Sequence, residues 1–327
     1  MREIARSIGV APITVSRALR YPGKVSPETR KRILAAIERE GFIPNQLAGS
    51  MRSAGRIIGT MVPPLINSGI AEQVQGMSDA CREGGYQLLL VQGDFSVEAE
   101  DKAVRALLGW KPAGLILQAF VQSEPVRELL TAGGTPVVEI SEVRGKDPID
   151  MVVGVSNFDT AYAMTAFLAD KGYRRIAFVS TPVHGNDRLQ QRQIGYRQAL
   201  VDRGLDYAGR LDVEVPITPQ GGADALRILT ERDPQVDVIF CASDTLAIGA
   251  VQECHRRGWT IPGRLAIAGY GNMDLGAQLF PRLTTVHVPR YEMGRRAVTE
   301  LLDRLENGVA NSPVVALDFQ VLERESA

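Results

Sequence analysis

From Ile57 onward the chain alternates short apolar runs with longer amphipathic stretches, and this alternation limits the fold more than any other feature. "IIGTMV", "YQLLLV", "AGLILQ", "TPVVEI", "RIAFVS", "VDVIFC" and "RLAIAG" are runs of strand length. Between them lie stretches of helical period such as "IAEQVQGMSDACREGG" and "GGADALRILTERDP". Near-continuous apolar strands followed by helices predict parallel sheets covered on both faces. The runs fall into two blocks divided near residues 155–160, which predicts two lobes. Ligands of open parallel sheets bind beyond the carboxyl ends of the strands, so two such ends facing each other predict a binding cleft.

Residues 1–56 break this pattern in both period and charge. They hold eleven Lys and Arg against four acids, a net of +7, whereas the remainder holds 26 against 34, a net of −8. A basic head on an acidic body predicts a head that meets a polyanion. "REIARSI" places Ile4, Ala5 and Ile8 on one helical face, Gly9 supplies a tight turn and Val10 plugs the junction. A second helix restarts at Pro12, with Val15, Ala18 and Leu19 inward and Thr14, Ser16 and Arg17 outward. Ser26 caps a third helix whose buried stripe is Ile33, Leu34 and Ile37 and which Gly41 ends. Three short helices with a glycine turn between the first two form the helix-turn-helix plan, whose second helix enters the DNA major groove. Arg17 suits a guanine edge, Thr14 and Ser16 suit phosphate oxygens, and Pro12 and Ile13 suit thymine methyls. A three-helix protein-binding module is the alternative reading.

Several function classes lack their residues. His184, His255 and His287 have no metal-ligand spacing with one another or with Cys81, Cys241 and Cys254, which read as buried reduced thiols. No Walker-type phosphate loop occurs, and no glycine fingerprint follows a strand, so neither a nucleotide-hydrolysing enzyme nor a sugar-acid dehydrogenase is expected, nor any cofactor. The apolar runs are far shorter than a bilayer span, and no secretory leader pattern opens the sequence. A cytoplasmic, nucleoid-associated protein with no membrane partner is expected.

"EIARSIGVAPITVSRALR" followed by "VSPETRKRILAAIEREGFIPNQLAGSMRS" resembles the DNA-binding head of the lactose-repressor family of bacterial transcription regulators. The family normally carries a few more residues before the first helix, so that helix is expected to start uncapped. The resemblance extends to the C-terminus and implies an α/β fold: an all-α helix-turn-helix head (1–44), a hinge (45–56), and a two-lobed periplasmic-binding-protein-like body of parallel sheets flanked by helices (57–327). Lobe 1 is expected over 57–155 plus 289–310, and lobe 2 over 156–288 plus 311–327. The hinge is too polar and small-residue-rich to fold alone. In the family it becomes helical in the DNA minor groove, which implies contacts from Asn45, Leu47, Ala48 and Met51, with Met51 as the wedge that bends the duplex. A plain flexible linker is the alternative.

Within the body, "GY" at 195–196, "CASDTLAIGAVQEC" and "FPRLTTVHVPRYEMG" match family landmarks. The family holds its effector at the position of Arg192, although a solvated helix arginine is the bland alternative. "LAIAGYGNMDLG" and "PRLTTVHVPRYEMG" are most similar to gluconate-operon repressors. Ser156 and the Gly271–Asn272 pair stand where aspartates are frequent, and fewer cleft carboxylates suit an anionic ligand. The wall residues expected are Pro63, Asn67, Ser68, Val155, Arg192, Ser243, Asp244, Asn272 and Asp274, with Asp244 alternatively a helix cap. The resemblance implies a homodimeric repressor that leaves a palindromic double-stranded operator when gluconate or ketogluconate binds, with corepression, in which the effector strengthens operator binding, as the opposite sign of the same linkage. The alternatives are a regulator answering a neutral or phosphorylated sugar, and a solute-binding protein.

Overall fold

The computed structural model describes residues 2–20, 22–39, 56–65, 68–93, 96–118, 123–145, 147–183, 186–207, 209–310 and 312–327. It divides into two compact units, Met1–Ala54 and Gly55–Ala327. Asn45, Leu47, Ala48 and Met51, and with them the expected hinge helix, lie outside the described residues.

The N-terminal unit contains α1 (Arg2–Ser7), α2 (Pro12–Arg20) and α3 (Pro27–Arg39). Gly9 has φ +69°, the left-handed geometry that lets α1 hand over to α2 without a Cβ clash. Ser26 Oγ accepts from Thr29 N at 3.3 Å, so α3 starts on a side-chain cap. Arg32 donates to the Ile8 carbonyl at 2.9 Å, satisfying an acceptor just past α1. Ala5, Val15, Ala18, Ile33 and Ala36 form the core. Leu34, expected inside, is 39% exposed. The inward stripe of α3 runs through Ile33, Ala36 and Ile37 at i, i+3, i+4, and position 34 points about 100° away from Ile33.

The second unit has two six-stranded sheets. The first contains β1 (Ile57–Val62), β2 (Gln87–Gln92), β3 (Gly114–Leu117), β4 (Val137–Glu142), β5 (Met151–Val155) and, from near the C-terminus, β11 (Val314–Ala316). Its order is β11-β5-β4-β3-β1-β2, parallel throughout. The second contains β6 (Ile176–Ser180), β7 (Asp212–Glu214), β8 (Val238–Cys241), β9 (Ala266–Tyr270), β10 (Thr284–His287) and β12 (Gln320–Leu322), in the order β12-β10-β9-β8-β6-β7. Only β12 runs antiparallel. Apart from the C-terminal strand, each sheet repeats the doubly wound order in which the second strand lies outside the first.

The first sheet is covered by α4 (Ser68–Glu83), α5 (Val97–Gly109), α6 (Glu124–Gly133) and the late helix α12 (Arg290–Asn307). The second is covered by α7 (Asn157–Asp170), α8 (Asp187–Asp202), α9 (Pro219–Arg232) and α10 (Asp244–Arg256); the short α11 (Asp274–Gln278) follows β9. The chain crosses between lobes after Val155, after His287 and between β11 and β12. This corrects the expected lobe boundaries. Residues 314–316 pair with β5 and belong to lobe 1, so the third crossing falls at 317–319 rather than before 311.

Packing explains the "GY" landmark. Gly195 on α8 lies so close to α7 that a Cβ would overlap the Phe158 carbonyl. Tyr196 is fully buried, stacks on Phe178 with centroids 5.1 Å apart, and donates to the Ile176 carbonyl at 2.8 Å. These contacts pack α8, which carries Arg192, against α7 and β6.

Candidate functional site

The strands of both sheets end around one cavity of about 460 Å³. Lobe 1 contributes Pro63 after β1, Gln118 after β3, Ile70 of α4 and Arg290 at the start of α12. Lobe 2 contributes Thr181 after β6, Pro216 and Ile217 beyond β7, Ala242 and Ser243 after β8, and Tyr270 at the end of β9. Asn186, Arg188, Leu189 and Arg192, from the first turns of α8 and its cap, close the lobe 2 wall. An inner alcove of about 30 Å³ adjoins the cavity and is bordered by Gln73, Val155, Asn157 and Met293 besides Gln118, Arg188, Arg192, Tyr270 and Arg290.

Three arginines therefore converge, and no Asp or Glu stands among the described lining residues. Arg192 is held by the protein on two edges. Its Nε donates to Asn157 Oδ1 at 2.8 Å, and one Nη donates to the Ala242 carbonyl at 2.8 Å. The guanidinium carbon lies 3.8 Å above the Tyr270 ring, whose hydroxyl donates to the same Asn157 oxygen at 3.1 Å. Burial lowers the Arg192 pKa, opposed by Tyr270 and helped by the charge of Arg290. Burial, with repulsion from Arg192 and Arg290 working against the attraction of Asp187, draws Arg188 down to about 10. Arg188 therefore stays cationic at neutral pH. Arg290 Nε is buried with no hydrogen-bond partner.

Two helices point their amino ends at this charge. Asn186 caps α8 by accepting from Leu189 N at 3.2 Å, and Ser243 accepts from Thr245 N at 3.3 Å at the start of α10. Both caps line the cavity, so the positive ends of two helix dipoles add to the arginines. The arrangement suits an organic anion with a hydrophobic flank, supplied by Ile70, Leu189, Ile217 and Leu246.

Of the wall residues expected from sequence, Pro63, Arg192 and Ser243 line the cavity and Val155 the alcove. Ser68 is exposed at the start of α4 and is not among the lining residues; Asn67 lies outside the described residues. Asp244 is fully buried away from the lining, where Oδ1 accepts from Thr285 Oγ1 at 2.6 Å and Oδ2 from Met273 N at 2.7 Å. It pins α10 to the β9 and β10 ends, and the helix cap is its neighbour Ser243. Asn272 is not among the lining residues; its Nδ2 lies 3.2 Å from His287 Nδ1 and its Oδ1 accepts from Arg324 at 2.7 Å. Asp274 is exposed on α11. Sequence reading missed Arg188, Arg290, Gln73, Gln118 and Asn157. Arg188 sits one helical turn before Arg192 on the same face, a signal that was available; the other four meet only through tertiary contacts.

On the N-terminal unit, Pro12, Ile13 and Arg17 are exposed on α2 and Thr14 is half-buried; Ser16 occupies the same helix. Ile13 is 57% exposed, an apolar side chain left uncovered by its own three-helix core. Among the described residues no group of three or more His, Cys, Asp or Glu is placed to hold a metal ion, and no described helix is long and apolar enough to cross a membrane.

Residues 1–45 match the family described as bacterial regulatory proteins, lacI family, and residues 165–327 match the periplasmic binding protein-like domain. The chain is 34% identical to the HTH-type transcriptional regulator GntR of Escherichia coli K12 over 98% of this chain and 96% of that one. It is similar in structure to a lacI-family transcriptional regulator from Silicibacter pomeroyi, with a TM-score of 0.91, 31% identity, and coverage of 99% and 98%. A transcriptional regulator CelR solved in complex with cellobiose superposes with a TM-score of 0.74 at 28% identity, covering 99% of this chain and 98% of that one.

Proposed function

The chain belongs to the lacI family of bacterial regulatory proteins, a DNA-binding transcriptional regulator and not an enzyme, and from that premise we propose that it represses sugar-acid catabolism genes and is released by the sugar acid itself. The single observation that carries the effector class is the cavity wall: Arg188, Arg192 and Arg290 converge there with no carboxylate among the described lining residues. A carboxylate takes two parallel hydrogen bonds from a guanidinium, and in a partly dry cavity such charge-assisted bonds are roughly twice as strong as neutral ones. A neutral disaccharide gives three arginines nothing to neutralise. A phosphorylated sugar is the second reading, favoured by the third arginine.

On this reading Arg17, Thr14 and Ser16 of α2 meet the major groove with Pro12 and Ile13 beside them, and Asn45, Leu47, Ala48 and Met51 meet the minor groove. Two copies bind the half-sites of a palindrome, because two-fold protein symmetry matches two-fold DNA symmetry. The cavity draws its walls from both lobes, so an anion bound there favours one lobe arrangement over another. That differential affinity is the coupling free energy that lowers operator affinity. The protein works in the cytoplasm, on the nucleoid. The test is a thermal-shift screen with D-gluconate, ketogluconates, their phosphates and neutral sugars, paired with operator binding at two salt concentrations. Stabilisation by the anions alone, with loss of operator affinity, is expected. Stabilisation by neutral sugars alone refutes the sugar-acid reading.

A further inference from the structure

Gln73 of α4 and Gln118 after β3 are 1% and 3% exposed, and both border the alcove beside the arginines. Gln118 Nε2 donates to Gln73 Oε1 at 3.3 Å. The remaining amide atoms, Gln73 Nε2 and Gln118 Oε1, are buried with no hydrogen-bond partner. Two amides joined by one N–H to oxygen bond always leave one amino group and one carbonyl oxygen over. Rotating both by 180° exchanges which residue carries which and leaves the same donor and acceptor. An alcove of about 30 Å³ holds a single water-sized group.

A buried donor and a buried acceptor side by side call for a group that accepts and donates at once. A carboxylate oxygen, a keto oxygen or an ether oxygen only accepts; an ammonium only donates; a hydroxyl does both. Arg188, Arg192 and Arg290 border the same alcove. A hydroxyl entering it therefore lies next to the anionic group that the arginines hold, on the carbon adjacent to a carboxylate. Resting on the anionic-effector reading above, we infer that the Gln73–Gln118 pair reads an α-hydroxyl, so that the effector is an α-hydroxy acid of the aldonic type. The arginines supply affinity for the charge, and the amides supply selectivity, since a site built to pair with a hydroxyl rejects the analogue that lacks it.

The experiment is calorimetric titration of the full-length protein with D-gluconate, 2-deoxy-D-gluconate and 2-O-methyl-D-gluconate, all with the same charge. Wild-type protein binds gluconate about tenfold or more tighter than either analogue. In Gln118→Met and in Gln73→Met, which keep side-chain length and remove the polar atoms, that ratio falls to about threefold or less. Unliganded melting temperatures establish that each variant is folded; where one is not, the other variant and the wild-type analogue series decide. Equal binding of gluconate and 2-deoxygluconate to wild type means that water fills the alcove, which overturns the inference and leaves the anionic-effector reading standing. A wild-type preference unchanged in both variants also overturns it. Failure of every sugar acid to bind overturns both.

Discussion

Replacing Arg192 by lysine keeps the positive charge and removes the planar fork, which separates the two ways this side chain can hold an anion. In the native site two of its N–H donors are fixed, on Asn157 Oδ1 and on the Ala242 carbonyl, each at 2.8 Å, and Tyr270 supports the plane from below. The donors that remain are thereby aimed before the ligand arrives. A lysine ammonium on a flexible stem cannot hold both anchors and present two parallel donors. One charge-assisted hydrogen bond is worth about 1.5–3 kcal/mol, so Arg192→Lys should weaken sugar-acid binding by about 2 kcal/mol, roughly 30-fold in Kd. Arg192→Met loses the charge and both bonds, about 4 kcal/mol or roughly a thousandfold. Unliganded stability should change little by comparison. Loss of donors to Ala242 and Asn157 costs about 1–3 kcal/mol, and relief of burial and of repulsion from Arg188 and Arg290 offsets part of it. Calorimetry reads the affinities and urea unfolding of the unliganded protein reads the fold. A wild-type Kd for Arg192→Lys refutes the fork, and equal losses for the lysine and methionine variants refute any contribution from the charge itself.

Arg17 is exposed on α2, and Arg17→Ala should cost about 1–3 kcal/mol of operator binding and relax preference at one base pair, measured by competition with single-base operator variants; uniform weakening across all variants would instead mark a phosphate contact. Ser326 is fully buried, donating to the Ile267 carbonyl at 2.6 Å and accepting from Thr284 N at 2.8 Å. Ser326→Ala strands both backbone groups and should destabilise the protein by about 1–3 kcal/mol in urea unfolding, an effect absent if the tail is dispensable to lobe 2. Burial raises the Asp244 pKa, against the pull of Thr285 and Met273. The folded state thus binds this proton more tightly than the unfolded chain, so its stabilising contribution is present below the ordinary carboxylate range and lost as pH rises through the folded value. Wild-type protein should gain stability relative to Asp244→Asn as pH falls from neutral, and parallel pH profiles would contradict this.

The strand runs, the helical periods and the N-terminal charge surplus are local properties, so the sequence alone determined the two-lobed α/β body and the three-helix head. Gly9, Pro12 and Ser26 act on their immediate neighbours, which is why the turn, the second helix start and the cap of α3 were legible. The three-residue strands β7, β11 and β12 were not, because so few residues carry no period and their pairing is fixed by partners far along the chain. The cavity divides in the same way. Arg192 could be found from its motif, whereas Asp244, in a motif equally well marked, turns inward to Thr285 and Met273. Gln73, Gln118, Asn157 and Arg290 come from four separate stretches of the chain and acquire meaning only where the lobes bring their polar atoms together. Charge and periodicity are read along the chain; the pairing of a buried donor with an acceptor is settled in space, by whichever distant group the fold places within about 3 Å.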